Sequence, residues 1–299
     1  MAVTLMRQES TAIFDTFADA LEPCMIGELC QEDQAEALQF LAARPIHTVF
    51  LSSLIRDNGL ASPHNRGSFY TCRDERGQLE GVGLLGHATV IEVRTETALL
   101  AFARLARNCF NAHLIRGQRD TIDSFWRHFA SAGQEPRLVC HELMFEQREA
   151  LPLTEPIGGL RPATLADLDQ VLKVNATMAF QEGGISPLNS DPGGFRQRTA
   201  RRIEQGRIWI WTRDDRLVVF KADVIGETPE AVYLEGVYVH PEERLKGYGS
   251  RCLNQLGSIL LAGHKSICLT TNQENKKAVA FYARAGYEFH SHYETIYLR

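Results

Sequence analysis

The sequence predicts an α/β (α+β) protein of two tandem domains, 1–152 and 153–299. Three observations carry that expectation. The chain has 299 residues, too long for one small domain and comfortable for two. The stretch QREALPLTEPIGG (Gln147–Gly159) holds two prolines, two glycines and little apolar periodicity, which is linker composition. The elements after that stretch follow the order β α α β β β α β α β β, and the elements before it repeat that order loosely. The repeat is one of element order, not of residues.

In the first half, QAEALQFLAAR and IHTVFLSSLIRD read as two helices. GSFYTC, LEGVGLLG and ATVIEV read as strands. TETALLAFARLARN is a helix, AHLIRG a strand, TIDSFWRHFASAG a helix and LVCHELMFE a strand. In the second half, GLRPA is a short strand. LADLDQVLKVNATMAF then spaces Leu165, Leu168, Val171, Leu172 and Ala176 as a helix does. Thr164 suits its N-cap, with Asp167 three residues on as in a capping box. DPGGFRQRTARRIEQG is a second helix, with Pro192 tolerated in its first turn. RIWIWTR and RLVVFKADVIG read as strands joined at Asp214-Asp215, and AVYLEGVYV as a third. SRCLNQLGSILLAG is a helix closed by Gly263. SICLTT is a strand, NKKAVAFYARAG a helix, and YEFHSHYETIYL one bent strand or a hairpin.

Composition excludes several classes. Hydrophobic content of 44% and charged content of 23% are ordinary for a soluble globular chain. A net charge of −5 gives no support to a general nucleic-acid binder and argues against bulk attraction to anionic membranes. No apolar run approaches the roughly 18 residues of a membrane helix. The opening MAVTLMRQESTAIFD lacks a basic start followed by an apolar core, so no secretory leader is expected and the cytoplasm is the expected compartment. Seven scattered cysteines form no CxxC pair; they read as free thiols in a reducing setting, with no metal site.

The segment EERLKGYGSRC (Glu242–Cys252) stands out. A strand runs into a turn with Gly247 and Gly249 and then into a helix. The first N–H groups of a helix lack internal partners and, with the helix dipole, favour anions. Glycines allow positive φ and close approach, and Arg244 and Lys246 add donors. This is neither a P-loop nor a GxGxxG fingerprint.

Arg244-x-x-Gly247-x-Gly249 after VYVHPE resembles motif A of the GCN5-related N-acetyltransferases (GNAT). NQENKKAVAFYARAGYEF, with Asn275, Ala278, Phe281, Tyr282 and Gly286-Tyr287, resembles their motif B. The resemblance covers Leu160 to Arg299. It implies a mixed, mostly antiparallel sheet flanked by helices and an acetyl-CoA cosubstrate. It also implies transfer of an acetyl group to a primary amine of a small molecule or peptide, by direct attack in a ternary complex. The loop residues Arg244, Leu245, Lys246, Gly247, Tyr248, Gly249 and Ser250 would cradle the pyrophosphate. Val237, Tyr238 and Val239 would hold the pantetheine arm by backbone N–H groups. Asn275 would contact the cofactor, and Tyr282 would protonate the departing thiolate. Nothing in this reading speaks against a homodimer.

For the base, Glu235 stands first, since strand alternation puts it on one face with Val237 and Val239, unless a bulge intervenes. Glu182, in FQEGGISP with Gly183 and Gly184, is the competitor, on a wall of the acceptor site by the resemblance. Asp223, His240 and His292 rank lower. Cys252 reads as a core residue. The alternative class is a non-catalytic acyl-CoA sensor or scaffold, which the presence of Tyr282 disfavours.

The first half is similar to a divergent GNAT-like domain, once catalogued as a domain of unknown function, that precedes some bacterial acetyltransferase domains. SLIRDNGL, LEGVGLLG and LVCHELMFE carry that likeness, as do ATMAFQEGGISP and VVFKADV in the second half. Where a working loop would stand, this half has Arg94-Thr95-Glu96-Thr97, with no glycine. It is expected to shape the protein without binding CoA.

Overall fold

A computed structural model describes residues 24–131, 133–153, 155–213 and 217–299. Before the linker come strands β1 (Met25–Glu28), β2 (Gly67–Arg73), β3 (Leu79–Gly86), β4 (Ala88–Val93), β5 (Leu114–Gln118) and β6 (Leu138–Gln147). After it come β7 (Arg161–Pro162), β8 (Ile208–Arg213), β9 (Leu217–Glu227), β10 (Ala231–Val239), β11 (Ser266–Asn272) and β12 (Glu288–Tyr297). They form one sheet in the order β1-β2-β3-β4-β5-β12-β6-β11-β10-β9-β8-β7. Pairing is antiparallel throughout except at β4–β5 and β10–β11.

The helices are α1 (Gln34–Ala42), α2 (Pro45–Asn58), α3 (Glu96–Ala106), α4 (Arg119–Phe129), α5 (Leu168–Gly183), α6 (Pro187–Ser190), α7 (Pro192–Glu204), α8 (Tyr248–Leu261) and α9 (Lys276–Arg284). Helix α8 shows why they dock. Cys252, Leu253, Leu256 and Leu260 recur at helical spacing and bury against Val232 and Leu234 of β10 and Ile267 and Leu269 of β11. Each such leucine contributes about 1.5–3 kcal/mol when removed from water. On the other face of β10, Ala231 and Tyr233 pack under Ile46 and Val49 of α2. That helix belongs to the first half and covers strands of the second. Ser53 of α2 lies so close to β9 that a Cβ on Gly226 would stand 2.2 Å from its Oγ.

The final strand of each half crosses over. β6 ends the first half, yet it pairs with β11 along Ile267↔Gln147 to Asn272↔Glu142. β12 ends the chain, yet it pairs with β5 of the first half along Tyr293↔Gln118 to Tyr297↔Leu114. β6 and β12 also pair with each other at the seam. The 1–152 and 153–299 segments are therefore joined by a continuous hydrogen-bonded ladder.

The expected elements appear at their expected places. Thr164 and Asp167 form the capping box, and β12 is one strand with a bulge between Phe289 and Ser291. The short elements β1 and α6 were not anticipated: four residues each carry too little periodicity to read. The Asp214-Asp215 turn and the opening fifteen residues lie outside the described residues.

One expectation is corrected. Cys24 and Cys72 are joined by a disulfide, because β1 pairs with β2 at Ile26↔Cys72 and brings Cys24 alongside. Cys30, Cys109, Cys140, Cys252 and Cys268 are free thiols. No helix among the described residues is long and apolar enough to cross a membrane.

Candidate active site

β10 and β11 pair in parallel only from Ala231↔Ser266 to Leu234↔Leu269. Both strands continue, to Val239 and to Asn272, so they splay and leave an open edge on β10 from Glu235 onward. A bulge starts there. Glu235 faces Asp223 and Tyr238 faces Lys221, so Gly236 and Val237 stand opposite Ala222 alone. Gly236 has φ +59°, and its missing side chain leaves room for the Lys221 ammonium, which a Cβ would meet at 2.7 Å. Lys221 is fully buried and donates to Asp223 over 2.7 Å.

The bulge corrects the parity expectation. Val237 and Val239 pack on the α8 face of the sheet, whereas Glu235 sits with Tyr233 on the α2 face. One extra residue reverses the alternation. Downstream, the N–H of His240 pairs with Val219 of β9. Alternation then turns the N–H groups of Val237 and Val239 toward the open edge. Tyr238, by the same count, faces β9.

The edge leads into the glycine loop. Arg244 Nε donates to the Val239 carbonyl over 3.0 Å, bracing the loop on the strand. Lys246 and Arg213 both reach Glu243, at 3.1 and 3.2 Å. Leu245 and Gly247 take positive φ, 64° and 81°, and Leu245 is fully exposed. Gly247 is the N-cap of α8, and no side chain caps that end. The first helical bond is Arg251 N–H to Gly247 C=O, so Tyr248, Gly249 and Ser250 present N–H groups without helical partners. Gly249 serves another purpose: a Cβ there would stand 2.8 Å from Val239 Cγ2, so its absence lets helix and strand close up. Tyr248 stacks obliquely on Trp211 at 5.0 Å.

Asn275 is the N-cap of α9, its side-chain oxygen accepting from Ala278 N–H at 3.1 Å. Tyr282, on α9, is buried among Phe145, Phe281 and Tyr287. Burial, with the charge of Glu182, raises its pKa. The phenol stays protonated, as a proton donor must.

The two candidate bases differ sharply. Glu235 accepts from Arg116 Nη1 and from the Tyr233 hydroxyl, each at 2.6 Å. Burial pushes its pKa up, but Arg116 and the two hydrogen bonds outweigh this and hold it below the usual carboxylate value. Glu182, near the end of α5, has no such clamp and keeps solvent access. Desolvation first, then the charges of Glu235 and Glu142, push it up to about 7, against Arg116 and Lys221. A carboxyl poised there exchanges a proton near neutrality. Gly184, with φ +71°, caps α5 and bonds to Phe180, so the glycine pair ends a helix. The Gly183 carbonyl accepts from Arg137 at 2.8 Å.

Sequence reasoning missed Arg116, Glu142 and Thr270, which tie the site together. Arg116 also reaches Glu142, at 3.4 Å, and Thr270. Thr295 of β12 donates to Glu142 over 2.7 Å. The sequence signal for Arg116 is one charge inside an apolar strand. Asp223 pairs with Lys221 and Arg202. The ring of His292 lies tilted against Phe289, and that of His240 meets Tyr238 edge-on. Cys252 is fully buried, and that burial pushes its thiol up to about 12, which removes it as a nucleophile. In the first half the equivalent helix, α3, is capped by Thr95 accepting from Ala98 N–H, and Glu96 of its first turn binds His128 at 3.0 Å.

Residues 204–289 match the family model of the acetyltransferase (GNAT) domain. Over that stretch the chain is similar to the GNAT domain. The match runs from the end of α7 into β12, spanning the bulge, the glycine loop and Tyr282. Solved structures extend the likeness of fold to both halves. A GCN5-related N-acetyltransferase from Sphaerobacter thermophilus aligns with TM-score 0.57 and 15% identity, over 92% of this chain and 96% of its own. A Drosophila protein aligns with TM-score 0.63 and 12% identity, over 92% and 98%. A tandem GNAT protein from the clavulanic acid biosynthesis pathway aligns with TM-score 0.53 and 14% identity, over 91% and 98%. No curated protein matches by sequence. The GNAT fold, a mixed and mostly antiparallel sheet with flanking helices, thus spans the described chain.

Proposed function

We propose that the chain is an acetyl-CoA-dependent N-acetyltransferase acting on a primary amine of a small molecule or peptide in the cytoplasm. Residues 153–299 carry the chemistry, and residues 1–152 brace and shape the acceptor side. One observation supports this above others: the open edge of β10 runs directly into the uncapped N-terminus of α8. Acetyl-CoA supplies the thioester. The N–H groups of Val237 and Val239 would hold its arm and carbonyl, and those of Tyr248, Gly249 and Ser250 its pyrophosphate, with Lys246 adding charge. Asn275 has a side-chain NH2 left to donate.

The amine nitrogen bonds to the carbonyl carbon as the carbon–sulfur bond breaks. The amine proton passes to Glu182, and the departing sulfur takes the phenolic proton of Tyr282. Solvent then returns the proton from Glu182 to Tyr282, and the cycle balances. Glu182 is the base rather than Glu235, because the clamped Glu235 gains nothing by accepting a proton that displaces Arg116. Glu235 instead keeps a fixed negative charge that raises Glu182. The raised pKa of Tyr282 makes it a weak acid, so its transfer coincides with charge growth on sulfur.

Acetyl-CoA should raise the melting temperature, since a ligand of the native state stabilises it. Arg244→Glu with Gly247→Asp should abolish the shift in a folded protein. Tyr282→Phe should keep the shift and lower turnover by about 10²–10⁴. A shift that survives the double substitution sinks the assignment.

A further inference from the structure

A second cluster lies on the same stretch of sheet as the candidate site. His87 and His113 stack with ring centroids 5.0 Å apart and planes at 11°. The ring of His113 meets Tyr297 edge-on at 6.1 Å. The guanidinium of Arg137 lies over the Tyr297 ring at 5.1 Å, and its Nε is buried without a partner. The backbone fixes this arrangement: His87 N–H bonds to Arg66 C=O, His113 N–H to His87 C=O, and Arg137 N–H to Tyr297 C=O. Arg198 of α7 faces the group from the second half. Asp191, the acid that faces Arg66 and His87, already pairs with Arg198 at 2.9 Å. Around the two imidazoles Arg66, Arg137 and Arg198 stand with one carboxylate, Asp191, while Glu182 and Glu142 act on Tyr297. Burial first, then the arginines, bring His87 down to about 4 and lower His113, so both imidazoles are neutral.

This cationic end adjoins the base. Arg137 donates to the carbonyl of Gly183, the residue after Glu182. A Cβ on Gly183 would stand 3.8 Å from the Tyr297 ring, so helix end and aromatic are in contact. The polar track therefore runs from carboxylates, Glu235, Glu142 and Glu182, to arginines, Arg137 and Arg66, within the span of β12. A simple amine would use the first end and leave the second with uncompensated charge. A polyamine would be repelled by it.

We infer that the acceptor is an amine that also bears an anionic group, a carboxylate or a phosphate, which lodges between Arg66 and Arg137 while the amine reaches Glu182. Guanidiniums bind such groups by charge-assisted, often bidentate hydrogen bonds, and neutral imidazole N–H groups complete the shell. The inference rests on the acyl-transfer reading and names its substrate class.

The test uses the full chain, acetyl-CoA and four matched amines: propylamine, β-alanine, O-phosphoethanolamine and 1,3-diaminopropane. Thiol release should give β-alanine or O-phosphoethanolamine a kcat/KM about tenfold or more above propylamine, as one arginine contact supplies. Whichever anion leads identifies the source. Arg66→Gln and Arg137→Gln should each collapse that ratio through KM, and Arg137→Lys should restore part of it. A flat profile, or preference for diaminopropane, overturns the inference. If no amine is turned over, thermal shifts with each amine and CoA read the same ranking, and absence of anionic preference overturns it there. Stabilisation by acetyl-CoA alone tests the donor reading separately, so the two failures are distinguishable.

Discussion

Arg116 of β5 donates to Glu235 of β10 over 2.6 Å, joining residues 119 positions apart and on opposite sides of the linker. The first half therefore reaches into the candidate site of the second. Arg116 also lies over the Tyr233 ring at 5.5 Å. It both fixes Glu235 and, by its charge, moderates Glu182.

Arg116→Gln should cost about 3 kcal/mol or more, because it strands Glu235 and Glu142 without their cation. Denaturant unfolding measures this. The same change removes a charge that lowers the Glu182 pKa, so the rate inflection should move to higher pH. An unmoved inflection would separate Arg116 from the base.

Turnover should rise with pH through about 7, as Glu182 loses its proton. Glu182→Gln should lower kcat by about 10²–10⁴ and erase that inflection. Glu235→Gln should keep an inflection and shift it lower, since a negative neighbour is gone. Loss of the inflection in Glu235→Gln with its retention in Glu182→Gln would reverse the assignment.

Glu182 also makes a stability prediction. Its folded pKa of about 7 lies above the ordinary value of 4.5. Its stabilising contribution is full below the ordinary value and is lost as pH rises through the folded one. Glu182→Gln should therefore raise the melting temperature more at pH 8 than at pH 5. Equal shifts at both pH values would contradict the raised pKa.

The loop glycines should fail differently. Gly247→Ala meets nothing within 4 Å but must hold φ +81°, a strain of about 1–2 kcal/mol. Gly249→Val meets Val239 and should cost about 1–3 kcal/mol by overpacking, with a larger loss of acetyl-CoA affinity as α8 moves off the strand. Calorimetric titration of both variants checks the contrast.

Separate 1–152 and 153–299 fragments should each remain largely unfolded, and should regain native-like circular dichroism when mixed. β6 and β12 each fill a place between strands of the other segment. A well-folded isolated 153–299 fragment would contradict this.

Much of this was legible in the sequence because local patterns dictate local structure. Helical spacing in α8 and the glycines of its entry loop are written in adjacent residues, as are the alternating strands and the Thr164 cap. Motif positions likewise placed Tyr282 and the loop. The Glu235 face was not legible, because a bulge depends on the unseen register between β9 and β10. Arg116 was not legible either: its strand gains the neighbour β12 from 170 or more residues downstream, and nothing near Arg116 records that. The electrostatics that set Glu182 apart from Glu235 come from groups that only tertiary structure assembles. The Cys24–Cys72 bond followed from a four-residue strand too short to read.

The crossing of β12 sets a clock on biosynthesis. A chain leaves the ribosome from its N-terminus, and early domains ordinarily fold while later ones are still being made. Here the flank of β5 is closed by Tyr293–Tyr297, which are made long after β5 itself. The nascent first half must wait, its β5 edge unsatisfied, until β12 has been made. Completion of the sheet is therefore tied to the appearance of the strand made last among its members.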